Sequence, residues 1–302
     1  MAYRLAHRSS ENVALHEMQA ELHELTTQVE QLKHEQALPG LVWNRYRGSV
    51  GYIYGVYHVG FGTQRPELRV RISGTGFLVG DDLIVTNRHV AEPWYGDENA
   101  KRLIDRGATA TLETLEIFFP SAPKPLRLFR ASISNTSDLA VLRTEDSDLV
   151  RKLPVLPLAD SPGPAGQLVT VIGYPLGIAG MLARSPSGSL ETLASRRDDL
   201  KAVGKLAAMS LIRPSATYGH LSDLIGDKIV YDAPSAHGGS GGPVLNAKGE
   251  VIGVNFAYMD GFSGNTLGIS VEAVRPMVKD AQTARPAVPN RIHENKVPAL
   301  KP

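Results

Sequence analysis

The chain has 302 residues, of which 42% are hydrophobic and 21% are charged, and its formal net charge is +1. These values are typical of one large globular domain with appendages, and the charge balance argues against a nucleic-acid or membrane surface. The sequence contains no cysteine, which excludes disulfide bonds and thiolate chemistry.

The first segment predicts a helix. Residues 10–36 place apolar side chains at alternating steps of three and four, the a/d pattern of a heptad, and Ala-Leu-Pro-Gly at 37–40 is expected to end the helix. The apolar positions are Leu15, Met18, Leu22, Leu25, Val29 and Leu32. We expect residues 1–47 to form a short coiled coil plus linker that joins subunits into a homo-oligomer or binds a partner protein. The alternative is an amphipathic helix packed on its own domain.

The start of the chain also bears on location. Its first residues, MAYRLAHRSSENV, lack the apolar run of a signal peptide, and no later stretch has the length and apolarity of a membrane span. The sequence therefore predicts a cytoplasmic protein without a membrane partner.

From about residue 48 the pattern changes to short β-branched and aromatic runs separated by Gly, Pro, Asn and Asp, which indicates a barrel or sandwich. Two segments interrupt it, 92–110 and 188–209, and the second places Leu190, Leu193, Leu200, Val203 and Leu206 near helical spacing. We read both as insertions in a domain spanning 48–282. The Pro-rich residues 283–302 are expected to form an extended tail.

The stretch SAHGGSGGPV, residues 235–244, places Ser240 among four glycines. It matches the G-x-S-x-G elbow of α/β-hydrolases, but that fold needs an acid and then a histidine after the serine. Only His293 in the tail follows Ser240, and the next segment is a hairpin rather than a helix. The order histidine, aspartate, serine is supplied instead by His89, Asp138 and Ser240.

Several ordered stretches together resemble the trypsin-like (chymotrypsin-fold) serine peptidases, most closely their HtrA/Deg-like bacterial branch. They are IVTNRHV around His89, SDLAVLR around Asp138, VIGYPLG at 171–177, the block from YDAPSAHGGSGGPV onward, and TLGISVEAV at 266–274. The resemblance implies an all-β fold of two packed six-stranded antiparallel β-barrels, with the N-terminal helix and helical insertions added. The tail is too short for the PDZ domain usual in that branch, so none is expected.

The resemblance also implies roles for these residues in a serine endopeptidase. His89 would be the general base, Asp138 would orient it, and Ser240 would be the nucleophile of an acyl-enzyme mechanism. The backbone amides of Gly238 and Ser240 would form the oxyanion hole, and neither a metal nor a cofactor is expected. The substrate would be a polypeptide. The alternative function is a catalytically silent peptidase-fold scaffold or partner-binding protein.

Two departures concern regulation and specificity. Digestive trypsins carry an aspartate before the serine that pairs with a new N-terminal amine; Gly239 stands there, so we expect ordering of the oxyanion loop to regulate activity. His237 is expected to be a loop residue near the oxyanion hole. Pro234 would lie at the base of the substrate pocket, where an acidic residue selects Lys or Arg. The walls would be Asn255, Phe256, Ala257, Leu267, Gly268 and Ile269, which predicts cleavage after small or medium apolar residues.

Overall fold

The structure, a computed structural model, describes residues 2–62, 66–120, 122–145, 148–185, 199–258 and 265–284. It divides the chain into two compact units, Met1–Leu41 and Val42–Pro302. The predicted domain limits at 47/48 and 282/283 stay predictions.

Helix α1 spans Ala2–Tyr46. Its residues up to Leu41 belong to the first unit, and its last residues, from Val42, belong to the second unit. The side chains of Met18, Leu22, Leu25 and Val29 are 47–67% exposed. The side chains of Leu15 and Leu32 lie outside the described residues. The helix does not end at 37–40 as expected, because Val42 and Tyr46 are buried in the core of the second unit and this packing outweighs the local break.

The second unit contains two β-barrels. The first barrel closes in the order β1-β2-β3-β6-β5-β4, with antiparallel pairing throughout. Its strands are β1 Val50–Gly60, β2 Leu68–Leu78, β3 Leu83–Thr86, β4 Thr109–Phe118, β5 Leu126–Ile133 and β6 Ala140–Thr144.

The second barrel closes in the order β10-β11-β12-β9-β8-β7, again antiparallel. Its strands are β7 Leu168–Gly173, β8 Ser215–Ile225, β9 Lys228–Tyr231, β10 Pro243–Leu245, β11 Val251–Tyr258 and β12 Thr266–Ser270. The expectation of two six-stranded antiparallel barrels is therefore confirmed.

Helices lie between and after the strands: α2 Arg88–Ala91, α3 Glu98–Asp105, α4 Gly177–Ala183, α5 Asp199–Ala208 and α6 Val271–Thr283, with 3-10 turns at Arg47–Ser49 and Val150–Lys152. The predicted insertion at 188–209 contains α5, whose Val203 and Leu206 are fully buried, while Leu190 and Leu193 lie outside the described residues. No helix in the described ranges has both the length and the apolarity to cross a membrane.

The last helix, α6, differs from expectation, because TLGISVEAV reads as a strand. The strand ends at Ser270, whose side-chain oxygen accepts the amide N–H of Glu272 at 3.3 Å as an N-cap. Beyond the cap, Val271, Val274 and Val278 are buried at helical spacing.

The two barrels are joined by direct hydrogen bonds. The Tyr174 hydroxyl, just after β7, donates to the Val50 carbonyl of β1 at 3.0 Å, and the Thr75 amide of β2 donates to the Ser240 carbonyl at 2.8 Å. Tyr174 and Tyr52 also contact each other through their rings, with centroids 5.5 Å apart. The predicted site residues therefore lie where the barrels meet.

Candidate active site

The predicted general base and its carboxylate lie side by side at one end of the first barrel. His89 lies in α2, shortly after β3 ends at Thr86, and Asp138 lies just before β6 begins at Ala140. Because Thr86 and Ala140 are partners in the ladder, the sheet brings these segments together. His89 Nδ1 lies 2.6 Å from Asp138 Oδ2, and the His89 amide donates to Asp138 Oδ1 at 2.9 Å. A proton on Nδ1 leaves Nε2 as the acceptor.

Further contacts fix both segments. The Asn87 side-chain amide donates to the Asp138 carbonyl at 2.9 Å. Arg88 donates to the buried Glu92 carboxylate and to the Ser134 carbonyl, both at 2.9 Å. Glu92 is also bonded to Arg130. These charge-assisted bonds hold the short helix that carries His89. Asn87 lies within the stretch IVTNRHV, but its sequence pattern does not indicate this contact.

The segment that carries Ser240 is a tight loop, residues 235–242, between β9 and β10. Its internal bonds run from the Gly239 amide to the Ala236 carbonyl at 2.9 Å and from the Gly242 amide to the Gly239 carbonyl at 3.0 Å. Gly238 and Gly241 have φ values of 90° and 87°, which favour glycine strongly. A side chain on Gly241 would collide with the Thr75 carbonyl and the Thr86 hydroxyl, so this loop packs directly against the end of β3.

The two amides predicted to form the oxyanion hole have no acceptor among the described residues, whereas the amides of Gly239, Gly241 and Gly242 all donate hydrogen bonds. The carbonyl of His237 accepts from the Leu176 amide at 2.6 Å, and the carbonyl of Gly238 accepts from the Thr75 hydroxyl at 2.7 Å. Since N–H and C=O point in opposite directions across a trans peptide, the bond to His237 turns the Gly238 N–H away from Leu176. Thr75 is fully buried and its hydroxyl oxygen also accepts from the Tyr174 amide at 3.1 Å.

The Ser240 hydroxyl does not bond to His89 within the described part of the chain. It donates instead to the Phe256 carbonyl at 3.3 Å. The structure thus brings His89 and Asp138 into direct contact and places Ser240 on an adjoining loop with a different partner. Catalytic hydrogen bonds of unliganded enzymes are often long and tighten only when substrate binds.

The predicted substrate-pocket residues lie on two paired strands. In β11 and β12, Asn255 faces Gly268 and Ala257 faces Leu267, and the register shifts at Phe256. Phe256 and Leu267 are half-buried, whereas Ile269 is buried in the core. A side chain on Gly268 would approach Ile229 to 2.9 Å, so the space behind this strand is filled.

For three of the predicted site residues, the structure gives an exposure and hydrogen bonds that could not be predicted from the sequence. Pro234 is exposed, and its carbonyl accepts from the Thr217 hydroxyl at 2.7 Å. His237 has an exposed side chain, and its carbonyl is held by Leu176. Asn255 is only 1% exposed, and its side chain bonds to Tyr231 and Ser235.

No group of three or more His, Asp or Glu side chains that could hold a metal ion occurs within the described ranges.

Comparison with known proteins gives consistent matches. Residues 74–254 match the family model of the trypsin-like peptidase domain. A Chlamydia trachomatis protein named "Probable periplasmic serine endoprotease DegP-like" is 30% identical over 218 residues, which cover 72% of this chain and 34% of that protein. The Danio rerio serine protease HTRA1A is 30% identical over 61% of this chain and 29% of its own length. This chain therefore spans about a third of the length of these relatives.

Solved structures show the same fold. The serine endoprotease from Yersinia pestis aligns over 81% of this chain and 67% of that chain, with a TM-score of 0.53 and 20% identity. The active form of an M. tuberculosis protease aligns over 82% of this chain and 86% of that chain, with a TM-score of 0.54 and 19% identity.

The prediction of a cytoplasmic location is wrong on this comparison. The relatives from Chlamydia trachomatis, Pseudomonas fluorescens and Rhizobium meliloti all carry the word periplasmic in their names. The prediction depended on the absence of an apolar leader in the sequence, and such an absence does not determine the compartment.

Proposed function

The chain belongs to the trypsin-like peptidase family, among its HtrA-like serine endopeptidases, and from this premise we propose that it cleaves polypeptides. In this proposal Ser240 is the nucleophile, His89 is the general base, and Asp138 orients His89. The paired bonds from Asp138 to the ring and to the amide of His89 carry this proposal. A carboxylate beside Nδ1 favours the tautomer in which Nε2 accepts a proton, which is the form that a general base requires.

In the proposed reaction, the Ser240 oxygen attacks the carbonyl carbon of the scissile peptide bond while its proton passes to His89 Nε2. Asp138 stabilises the resulting imidazolium. The tetrahedral oxyanion accepts hydrogen bonds from the amides of Gly238 and Ser240, whose lack of other acceptors among the described residues supports this role. His89 then donates the proton to the leaving amine, the acyl-enzyme forms, and a water activated by His89 releases the acid product and restores the Ser240 hydroxyl.

For specificity, we propose that small or medium apolar side chains bind between β11 and β12. The part of β11 after Asn255, with Phe256 and Ala257, would pair with the substrate backbone as an added strand, since the Asn255 carbonyl and amide already bond to Gly241 and Gly242. The half-buried Phe256 and Leu267 and the absence of a charge at Pro234 support an apolar pocket. A peptide-library cleavage profile tests this, and dominant cleavage after Arg or Lys would contradict it.

Regulation through ordering of the oxyanion loop stays a prediction. The described loop has one formed arrangement with both candidate amides unoccupied. Hydrogen exchange at Gly238 and Ser240 with and without a covalent inhibitor would test whether the resting loop also samples others. Equal exchange rates would contradict the prediction.

A homo-oligomer joined through α1 is also proposed. Four apolar side chains of the heptad pattern, Met18, Leu22, Leu25 and Val29, are exposed on the helix. Exposed apolar residues at a/d spacing form the buried seam of a coiled coil when a second copy is present.

The names of the relatives support a proposed site of action outside the cytoplasm.

The alternative of a silent scaffold has one observation in its favour, because the Ser240 hydroxyl donates to Phe256 and not to His89. The two functions are separated by reaction with a fluorophosphonate probe and by cleavage of fluorescein-labelled casein. We expect labelling and cleavage by the wild type and by Ser222→Ala, a change at an exposed serine of β8, and neither by Ser240→Ala. Absence of both reactions in the wild type would favour the scaffold.

A further inference from the structure

Three polar residues form a hydrogen-bonded chain behind the Ser240 loop. The Tyr231 hydroxyl, at the end of β9, donates to Asn255 Oδ1 at 2.6 Å. Asn255 Nδ2, in β11, donates to the Ser235 hydroxyl oxygen at 2.9 Å. Tyr231 and Asn255 are buried, and Ser235 is half-buried where the loop begins. We call Tyr231, Asn255 and Ser235 the anchoring chain.

The anchoring chain crosses the barrel rather than following one strand. β9 and β11 are not neighbours; each pairs with β12, so the Tyr231 side chain reaches past one strand to meet Asn255. Burial raises the pKa of Tyr231 well above its ordinary value, so its hydroxyl stays protonated and remains a donor. Buried polar groups are destabilising unless every partner is present. The anchoring chain therefore has one preferred geometry.

The end of the anchoring chain lies against Gly239, the residue between the two candidate oxyanion amides. A Cβ atom on Gly239 would come within 3.0 Å of the Ser235 hydroxyl oxygen and 3.3 Å of Asn255 Nδ2. Together with the Ala236 carbonyl oxygen, also at 3.0 Å, these two groups occupy the space into which a side chain at position 239 would extend.

Asn255 holds the far side of the same loop through its backbone. Its carbonyl accepts from the Gly241 amide at 2.7 Å, and its amide donates to the Gly242 carbonyl at 2.8 Å. One buried residue thus contacts the loop before and after Ser240. A displacement of Asn255 would therefore affect both its side-chain bond to Ser235 and its backbone bonds to Gly241 and Gly242.

We propose that the anchoring chain positions the oxyanion loop. It would take the place of the ion pair that digestive trypsins form with the aspartate found where this chain has Gly239. The inference rests on the proposed function, and its members are positioning residues because they act through Gly238, Gly239 and Ser240. Its chemistry needs no cleavage of the N-terminus, since every partner is already present in the chain.

The test uses the full chain with Tyr231→Phe, which removes only the hydroxyl. The matched control is Tyr57→Phe, since Tyr57 is also fully buried and its hydroxyl donates to Asp97 Oδ2 at 2.6 Å. We expect Tyr231→Phe to lower the fluorophosphonate labelling rate and kcat for labelled casein by about tenfold with KM within about twofold. Tyr57→Phe should keep the wild-type rates even where its unfolding midpoint falls equally.

A second pair of variants keeps the test decisive if Tyr231→Phe does not fold. Ser235→Ala should slow labelling as Tyr231→Phe does, and Ser235→Thr, which retains the hydroxyl, should restore most of the rate. Wild-type rates in both Tyr231→Phe and Ser235→Ala, or equal losses in Tyr231→Phe and Tyr57→Phe, would overturn the inference. Failure of the wild type itself to react would instead overturn the proposed function.

Discussion

The two sides of the candidate site are held in different ways. On the first barrel, His89 and Asp138 bind each other directly through two hydrogen bonds, and Asn87 and Glu92 fix the segments that carry them. On the second barrel, Ser240 lies in a glycine-rich loop and its hydroxyl is turned to the Phe256 carbonyl. The proposed base is therefore held by side chains in contact with it, whereas the proposed nucleophile and the candidate oxyanion amides depend on residues around the loop.

The two sides also differ in how many segments must come together to form them. A ladder pair, Thr86 with Ala140, suffices to bring the histidine and aspartate segments together. The loop needs Thr75 from the first barrel, Leu176 after β7 and Asn255 from β11. Four substitutions would test this contrast.

The largest effect is expected for Asp138→Asn, which breaks the first-barrel side. The substituted amide favours the wrong His89 tautomer, so we expect casein hydrolysis to fall by about 10⁴-fold with little change in folding. Asp227→Asn is the control, because that exposed carboxylate accepts from Ser137, the neighbour of Asp138, at 3.1 Å without touching His89. Similar losses in both variants would contradict the assignment of Asp138.

A smaller but still large effect is expected for Gly238→Ala on the loop side. The new Cβ would lie 2.5 Å from the Tyr174 carbonyl oxygen, at a φ of 90°, so the Gly238 amide must move. We expect kcat to fall by about 10²-fold or more, as for loss of one oxyanion donor. Gly204→Ala in α5, where no atom lies within 4 Å of the new Cβ, should keep full activity. Equal activity of the two variants would argue against an oxyanion role for Gly238.

An intermediate effect is expected for Thr75→Val, which keeps the shape of the side chain but removes the bonds to Gly238 and Tyr174. We expect kcat for casein to fall by roughly 10- to 100-fold, because the loop loses a buried anchor. Thr144→Val is matched to it, since the buried Thr144 hydroxyl has no hydrogen-bond partner among the described residues. An active Thr75→Val enzyme would show that the loop is held by other contacts.

The smallest effect on catalysis is expected for Leu22→Glu, which lies in neither side of the site. A charge in the proposed apolar seam should dissociate the proposed oligomer, while casein hydrolysis per chain stays within about twofold. Sedimentation velocity measures the change, with Ala20→Glu on the outer face of the predicted coiled coil as control. Identical sedimentation of both variants and the wild type would contradict the proposed coiled coil.

Local structure and ordered motifs can be predicted from sequence patterns. Short β-branched runs indicate a barrel or sandwich, and the resemblance to trypsin-like peptidases implies the two six-stranded barrels that the structure contains. The helix Val271–Thr283 was not expected, because TLGISVEAV reads as one strand, whereas the strand ends at the Ser270 cap and the helix begins there. Asn255 was expected to line the pocket, yet its side chain bonds to Tyr231 and Ser235. Such contacts join residues far apart in the chain, and no local pattern specifies them.

A crystal structure of the fluorophosphonate adduct would test the central claim most directly. We predict a phosphorus–oxygen bond to Ser240, a phosphonyl oxygen within hydrogen-bond distance of the Gly238 and Ser240 amides, and the His89–Asp138 contact unchanged at 2.6 Å. The Ser240 oxygen should have left the Phe256 carbonyl. An adduct on another residue, or a phosphonyl oxygen that contacts neither amide, would contradict the claim.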